Sequence, residues 1–438
     1  MHKLSWKTIA VLAGFLFGGV LVATIGIGGM RQFLGVSLAL YLLAWGAYAM
    51  VAAQPREELQ NRFLAVTVAL GVGVTMLEAP GLTGLVDYKM LFLTSGDHLW
   101  ERPGYLPDPE LLFKTKPYFS RDETFRRGNM GERLCLPVRA AVPHRLQYDR
   151  HGFRNETDLM AADIAVIGDS YVESFMMPTP QLMTTVLAQL QGRTVANLGI
   201  SGYGPAQELA VLKRYALPLH PKTVVWVFYE GNDWHDLYAY DEAVKQVPSV
   251  GSRSGWLVEH SFLLNAVPAL LRTMKGCVPD PYAEGIYGVV ASAAGADRQL
   301  FGQQLSPVPK LVKEQEALDR FIGIVADAYR AAAHDQAGFV FVFAPTKFRV
   351  YQDLAQFEAS SNATRATWTE SYAGLPERVA QRVRAIASDI SWVDLTQDMR
   401  EAVRTGHPVF IADDTHWTVE GNRVAAESIH RALNLRSR

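Results

Sequence analysis

The chain has 438 residues and a formal net charge of −2. That length allows more than one domain, and the near-neutral balance, with no basic run or basic aromatic face, argues against nucleic acid as a partner. Histidines are scattered without HxxxH or HxH spacing, and Cys135 and Cys277 form no CxxC, so neither a metal site nor a cofactor is expected. The two cysteines read either as one disulfide, in an oxidising compartment, or as two unrelated buried thiols.

Three apolar runs open the chain, at 8–30, 33–53 and 63–86. The first two carry no charge, and each run is long enough to cross a hydrocarbon core of about 30 Å. The third is interrupted by Glu78 and Pro80, a carboxyl that is costly in a bilayer but tolerable near its interface. Lys3 and Lys7 precede the first run, Arg56 and Arg62 separate the second from the third, and Arg31 stands alone on the other side. The positive-inside rule then leaves the N-terminus in the cytoplasm, and three spans deliver everything beyond Val86 to the far side. The expectation is a multi-pass protein of the inner (cytoplasmic) membrane whose main domain faces the periplasm.

From 87 to 161 the chain is rich in Pro, charge and aromatics without a sustained helical period, and reads as a lead-in packed on the next domain. Beyond it, apolar runs alternate with helical patterns. Strands are expected at Ile164–Gly168, Thr194–Ile200, Thr223–Asp233, Gly338–Pro345 and Ser391–Thr396. Helices are expected at Pro178–Leu190, Pro205–Leu219, Ala317–Asp335, Leu375–Asp389 and Gly421–Leu433. A long irregular insertion occupies about 234–309. Continuous β-branched runs between helices indicate a mostly parallel sheet covered on both faces, a doubly wound α/β domain over 162–438. Sites in such sheets lie beyond the C-terminal strand ends.

Polar blocks fall at those ends. Gly-Asp-Ser170 follows the first strand, "SGYG" with Gly202 the second, "GND" with Asn232 the third, and "DDTHW" with Asp413, Asp414 and His416 comes near the C-terminus. Ser170-x-x-Glu173 by itself is also a helix-capping box. The order Ser, Gly, Asn, His on this architecture resembles the SGNH (GDSL-type) hydrolase superfamily. The anchor and the "DTHW" and "PTK" segments resemble membrane-attached polysaccharide O-acetyltransferases of the alginate type.

The resemblance implies a three-layer sandwich and a serine-dependent acyl, most simply acetyl, transfer or hydrolysis on a cell-envelope or exported polysaccharide. Ser170 would attack, His416 would serve as base, and a carboxylate would orient the imidazole. The superfamily's usual Asp-x-x-His spacing selects Asp413; the alginate group's Asp-x-His selects Asp414 as the alternative. The backbone N–H groups of Ser170 and Gly202 and the Asn232 amide would form the oxyanion hole. Trp234, His235 and Trp417 flank these blocks as sugar-stacking candidates, with core packing as the plainer reading. Lys347, in a Pro-x-Lys segment similar to the alginate group's, would hold an anionic substrate group or stand solvated in a loop. Arg154 in "GFRN" resembles a turn upstream of the nucleophile in membrane-attached relatives and receives no catalytic role. Partners are then an acylated carbohydrate or other ester, the membrane, and an acyl-donating membrane protein. The alternatives are a general small-ester or lipid esterase and a non-catalytic polysaccharide-binding module on the same fold.

Overall fold

The structure, a computed structural model, describes residues 56–86, 88–92, 104–138, 143–246, 260–277, 279, 285–292, 295–302 and 311–436. The apolar runs at 8–30 and 33–53 lie outside the described residues.

All five expected strands form and align in parallel. They are β1 (Ile164–Gly168), β2 (Val195–Gly199), β3 (Thr223–Tyr229), β4 (Gly338–Ala344) and β5 (Ser391–Asp394), and they lie side by side in the order β2-β1-β3-β4-β5. The order reverses between β1 and β3, so a crevice opens beyond their C-terminal ends. Buried on both faces, β1, β3 and β4 are near-continuous apolar runs. Right-handed crossovers leave helices Met183–Gln191, Thr396–Arg404 and Val419–Arg436 packed together on one side. Helices Pro205–Val211, Leu311–His334 and Leu375–Ile386 pack together on the other. The core between layers is dominated by aromatics: Trp226, Phe228, Phe339, Phe341 and Phe343 are fully buried.

Two stretches differ from expectation. The described residues of the insertion are regular: they form helices Asp233–Gln246 and Phe262–Lys275, and paired strands Gly285–Ser292 and Gly295–Gly302 that Ala355–Phe357 extends to three. The lead-in forms two short antiparallel pairs, 105–108 with 112–115 and 120–123 with 144–147, and a helical turn at Asn129–Arg133. Pairing across such distances is set by contacts between segments, which local periodicity does not carry.

The chain divides into two compact units. One comprises residues 1–97 and 248–276, the other 98–247 and 277–438, so part of the insertion folds with the N-terminal unit rather than with the sheet. In the first unit the helix Arg56–Leu82 begins seven residues before the expected apolar run at 63–86, because Glu57 and Glu58 suit a first helical turn and Arg62 pairs with Glu58 at 2.9 Å. At 27 residues it is long and apolar enough to cross a membrane. Glu78 is not an isolated charge: its carboxylate accepts from Phe262 N and Leu263 N, both at 2.9 Å, and from Ser261 Oγ at 3.1 Å. It thereby satisfies the open N–H groups at the start of helix Phe262–Lys275.

Within the second unit Cys135 and Cys277 form a disulfide that joins the lead-in to the insertion across 142 positions of chain. Cross-links closing loops of this size restrict the unfolded chain strongly. Replacing Cys135 with Ser is expected to lower stability by roughly 2–5 kcal/mol, read as a lower denaturant midpoint. An unchanged midpoint, with and without reductant, would show that the bond constrains nothing.

Candidate active site

β1 ends in Gly168, and the next residue, Asp169, caps the helical turn Ser170–Glu173: its Oδ1 accepts from Tyr171 N at 2.9 Å. The cap is thus Asp169 rather than Ser170, because the turn begins one residue earlier than a Ser170–Glu173 capping box requires. Ser170 is left at the first helical position, its Oγ 3.4 Å from Asp169 Oδ2 and open to a closer partner. Burial pushes the Asp169 carboxyl up to about 6.

That partner is His416. Its Nε2 lies 2.8 Å from Ser170 Oγ, and its Nδ1 lies 2.5 Å from Asp414 Oδ1. A carboxylate only accepts, so Nδ1 carries the proton and Nε2 is left to accept from the serine hydroxyl. Asp414 Oδ1 also accepts from His416 N at 2.8 Å, a local turn that points the ring at its own orienting carboxylate. Burial alone would lower the His416 pKa; the charge and hydrogen bond of Asp414 outweigh it and hold the imidazole above its ordinary value. For Asp414 burial pushes up, and His416 with the backbone donors of His416 and Asn129 brings it below the usual carboxylate value.

The preference for Asp413 is therefore corrected in favour of Asp414. The Asp413 carboxylate points the other way and accepts from Gly128 N at 2.8 Å, while its backbone oxygen accepts from Gly131 N at 3.0 Å. The approach is so close that a Cβ on Gly128 or Gly131 would stand 2.2 or 2.3 Å from Asp413 atoms, so both positions need glycine. Beside them Asn129 N donates to Asp414 Oδ2 at 2.6 Å, and the Asn129 amide exchanges hydrogen bonds with Thr415 at 2.7 and 3.2 Å.

Gly202 follows β2 with φ 82°, in a turn whose Ser201 donates from N to Glu173 at 2.6 Å and also from Oγ. This ties the turn to the one carrying Ser170. Among the described residues neither the Ser170 N–H nor the Gly202 N–H donates to a protein acceptor. Asn232 follows β3, and its amide donates to Asp236 one helical turn on.

The expected substrate contacts at Trp234, Trp417 and Lys347 are not what the structure places there. Trp234 is 2% exposed and packs edge-on against Phe228 and Phe321; Trp417, 1% exposed, packs edge-on against Tyr171 at 4.7 Å. Both rings belong to the core, where burial of a large apolar surface outweighs rim exposure. His235 is exposed, 3.4 Å from the Asp236 carboxylate. Lys347, 1% exposed, donates from Nζ to the carbonyls of Ile411, Ala412 and Asp414 at 2.7, 2.9 and 3.1 Å. An ammonium has three donors, and here all three are used on the loop that presents His416.

Arg154 has a part as well. Fully buried, its guanidinium donates to the carbonyls of Glu173, Ser174 and Met177 at 3.0, 2.5 and 2.8 Å, closing the turn after Ser170. Glu173 completes that support by accepting from Tyr148 Oη at 2.6 Å. Glu230, buried just before the Asn232 block, pairs with Arg349 and accepts from Thr346 N at 2.9 Å, which fixes the segment carrying Lys347. Nothing in local sequence separates such buried charges from solvated ones; only the "GFRN" and "PTK" segments drew notice.

Residues 293–438 match the family model of the SGNH hydrolase-like domain of the acetyltransferase AlgX, a stretch that includes Lys347, Asp414 and His416. The chain is similar to a putative lipolytic protein of the G-D-S-L family from Desulfitobacterium hafniense (12% identity, 61% of this chain and 98% of that chain, TM-score 0.32). It is also similar to an acetylxylan esterase from Geobacillus stearothermophilus (14%, 63% and 95%, TM-score 0.34) and a GDSL-like lipase from Bacteroides thetaiotaomicron (13%, 62% and 88%, TM-score 0.30). A comparison with curated protein sequences gives no match.

Two substitutions separate the adjacent acids. Asp414→Asn is expected to lower the His416 pKa, followed by NMR titration of the imidazole, and Asp413→Asn to leave it in place. Equal shifts in both variants would contradict the assignment. Lys347→Met removes a charged donor from three loop carbonyls, two of which keep a backbone donor, and is expected to lower stability by about 2 kcal/mol, measured by denaturant unfolding.

Proposed function

We propose that this chain, which resembles the SGNH hydrolases and over its C-terminal third the AlgX acetyltransferase domain, is a membrane-attached serine O-acyltransferase. It would move an acetyl group onto, or off, a polysaccharide of the cell envelope. The observation that carries this reading is the continuous Ser170–His416–Asp414 arrangement at 2.8 and 2.5 Å.

As Ser170 Oγ attacks the ester carbonyl, His416 Nε2 takes its proton and Asp414 stabilises the imidazolium that forms. The carbonyl oxygen becomes an oxyanion facing the N–H groups of Ser170 and Gly202 and the Asn232 amide. Collapse breaks the bond to the leaving alcohol, which receives the proton from His416. An acceptor hydroxyl then gives its proton to His416, attacks the acyl-serine and departs as the new ester, returning Ser170. With water as acceptor the same residues hydrolyse the ester, so transfer depends on a sugar hydroxyl outcompeting water at the acyl-serine.

The helix Arg56–Leu82 supports the membrane attachment. The disulfide Cys135–Cys277, a bond favoured in oxidising compartments, and the distribution of Lys and Arg around the three apolar runs support a periplasmic location for the catalytic domain. An acyl donor delivered by a membrane partner fits that arrangement.

Ser170→Ala is expected to abolish p-nitrophenyl acetate turnover by the full-length protein in detergent, and Asn232→Ala to lower it about a hundredfold or more. Turnover in the Ser170 variant equal to wild type would leave a binding module. Mass spectrometry of oligosaccharides incubated with an acetyl donor separates acetyl gained from acetyl lost. Because His416 must be neutral to accept a proton, activity rises with pH through its pKa. The acid limb of kcat/KM is therefore expected above the ordinary histidine value of about 6.5, and a limb below it would contradict the coupling to Asp414.

A further inference from the structure

The strand Gly295–Gly302 runs beside the loop that presents His416, with Leu300 N donating to Ala412 O at 2.8 Å. Along this seam lie two openings of about 340 Å³ each, within the range of roughly 300–1,000 Å³ for ligand clefts. Asp297 and Pro408 line both, so the two form one groove. One end is walled by Phe125 and Met177. Phe125 packs on Phe175 at 6.3 Å, and Phe175 packs on the His416 ring at 6.1 Å. The groove thus approaches the catalytic imidazole through two ring contacts.

Its polar lining includes the side chains of Gln299, Asp297, Thr418 and Tyr351. Gln299 is 1% exposed; its Nε2 donates to Asp297 Oδ2 at 2.5 Å, and its Oε1 has no hydrogen-bond partner among the described residues. A buried amide oxygen in this state calls for a donor, such as a water or a ligand hydroxyl. Asp297 places a carboxylate where the two openings meet, and no Lys or Arg is among the described lining residues. The remaining walls, Phe410 and Pro408 with Met177, offer apolar surface.

We infer that this groove binds an uncharged saccharide chain, with sugar hydroxyls donating to Gln299 Oε1 and Asp297 and sugar C–H faces on the apolar walls. The inference rests on the acyltransferase reading for its link to Ser170, and it narrows the acceptor to neutral rather than uronate or other anionic polymers. Each unit of an anionic chain would bring a carboxylate toward Asp297 with no cation among the described lining residues to offset it.

The test uses the full-length protein in detergent and isothermal titration with neutral hexamers of glucose, xylose, mannose and galactose, and with a hexuronate of equal length. At least one neutral hexamer is expected to bind about tenfold or more tightly than the hexuronate. Gln299→Leu is expected to weaken that binding about tenfold, because the unmatched donor is lost. Asp297→Lys is expected to raise hexuronate affinity about tenfold, a gain that a misfolded variant does not produce. Hexuronate binding more tightly than every neutral hexamer, no binding by any neutral hexamer, or unaltered hexuronate binding in Asp297→Lys would overturn the inference. The two readings fail separately. Ser170-dependent turnover of p-nitrophenyl acetate without neutral-saccharide binding removes the groove assignment alone. Saccharide binding with Ser170-independent turnover removes the catalytic reading alone.

Discussion

The imidazole of His416 stands on a loop without regular secondary structure, and the site exists only because that loop's backbone is fixed. Lys347 does most of this. Its ammonium sits inside the protein and donates to the loop carbonyls of Ile411, Ala412 and Asp414, the first two of which also accept from Asp414 N and Leu300 N. Removing a charge from water costs several kcal/mol, and the carbonyl dipoles offset that cost only in one loop conformation. The same conformation aims Asp414 at Nδ1 and leaves Nε2 against Ser170.

Ser170 is held by the same kind of device. Arg154 gathers the carbonyls that follow Ser170, and Glu173 joins Tyr148 of the lead-in to the Ser201 turn that carries Gly202. Glu230 and Arg349 brace the β3 and β4 ends, and the Lys347 segment hangs from that pair. Buried charges of this sort add little net stability but penalise every arrangement in which one partner is displaced. Around this site they hold three strand ends and one loop in mutual register. The lead-in contributes through Asn129, Gly128 and Gly131, which clamp both acids of the Asp413–Asp414 pair. A segment that reads as packing material thus sets which carboxylate is available to the histidine.

The sheet was legible because its strands are buried on both faces, and continuous apolar runs such as those of β1, β3 and β4 mark such strands without reference to neighbours. The insertion was not, since its paired strands Gly285–Ser292 and Gly295–Gly302 alternate weakly and gain a third, Ala355–Phe357, from far along the chain. Trp234 and Trp417 sit next to site residues in sequence, yet they point into the core, because successive side chains leave a helix or strand in different directions.

From the sequence alone follow the apolar runs, the doubly wound sheet, and the placement of Ser170, Gly202 and Asn232 at strand ends with His416 near the chain's close. All of these are written in periodicity and in short motifs read locally. Tertiary structure decided that Asp414 rather than Asp413 serves the imidazole, that Lys347 holds backbone instead of substrate, and that Cys135 finds Cys277. Each of those outcomes depends on which groups distant segments bring within about 3 Å of one another, the reach of a hydrogen bond, and spacing along one strand of chain carries no record of it.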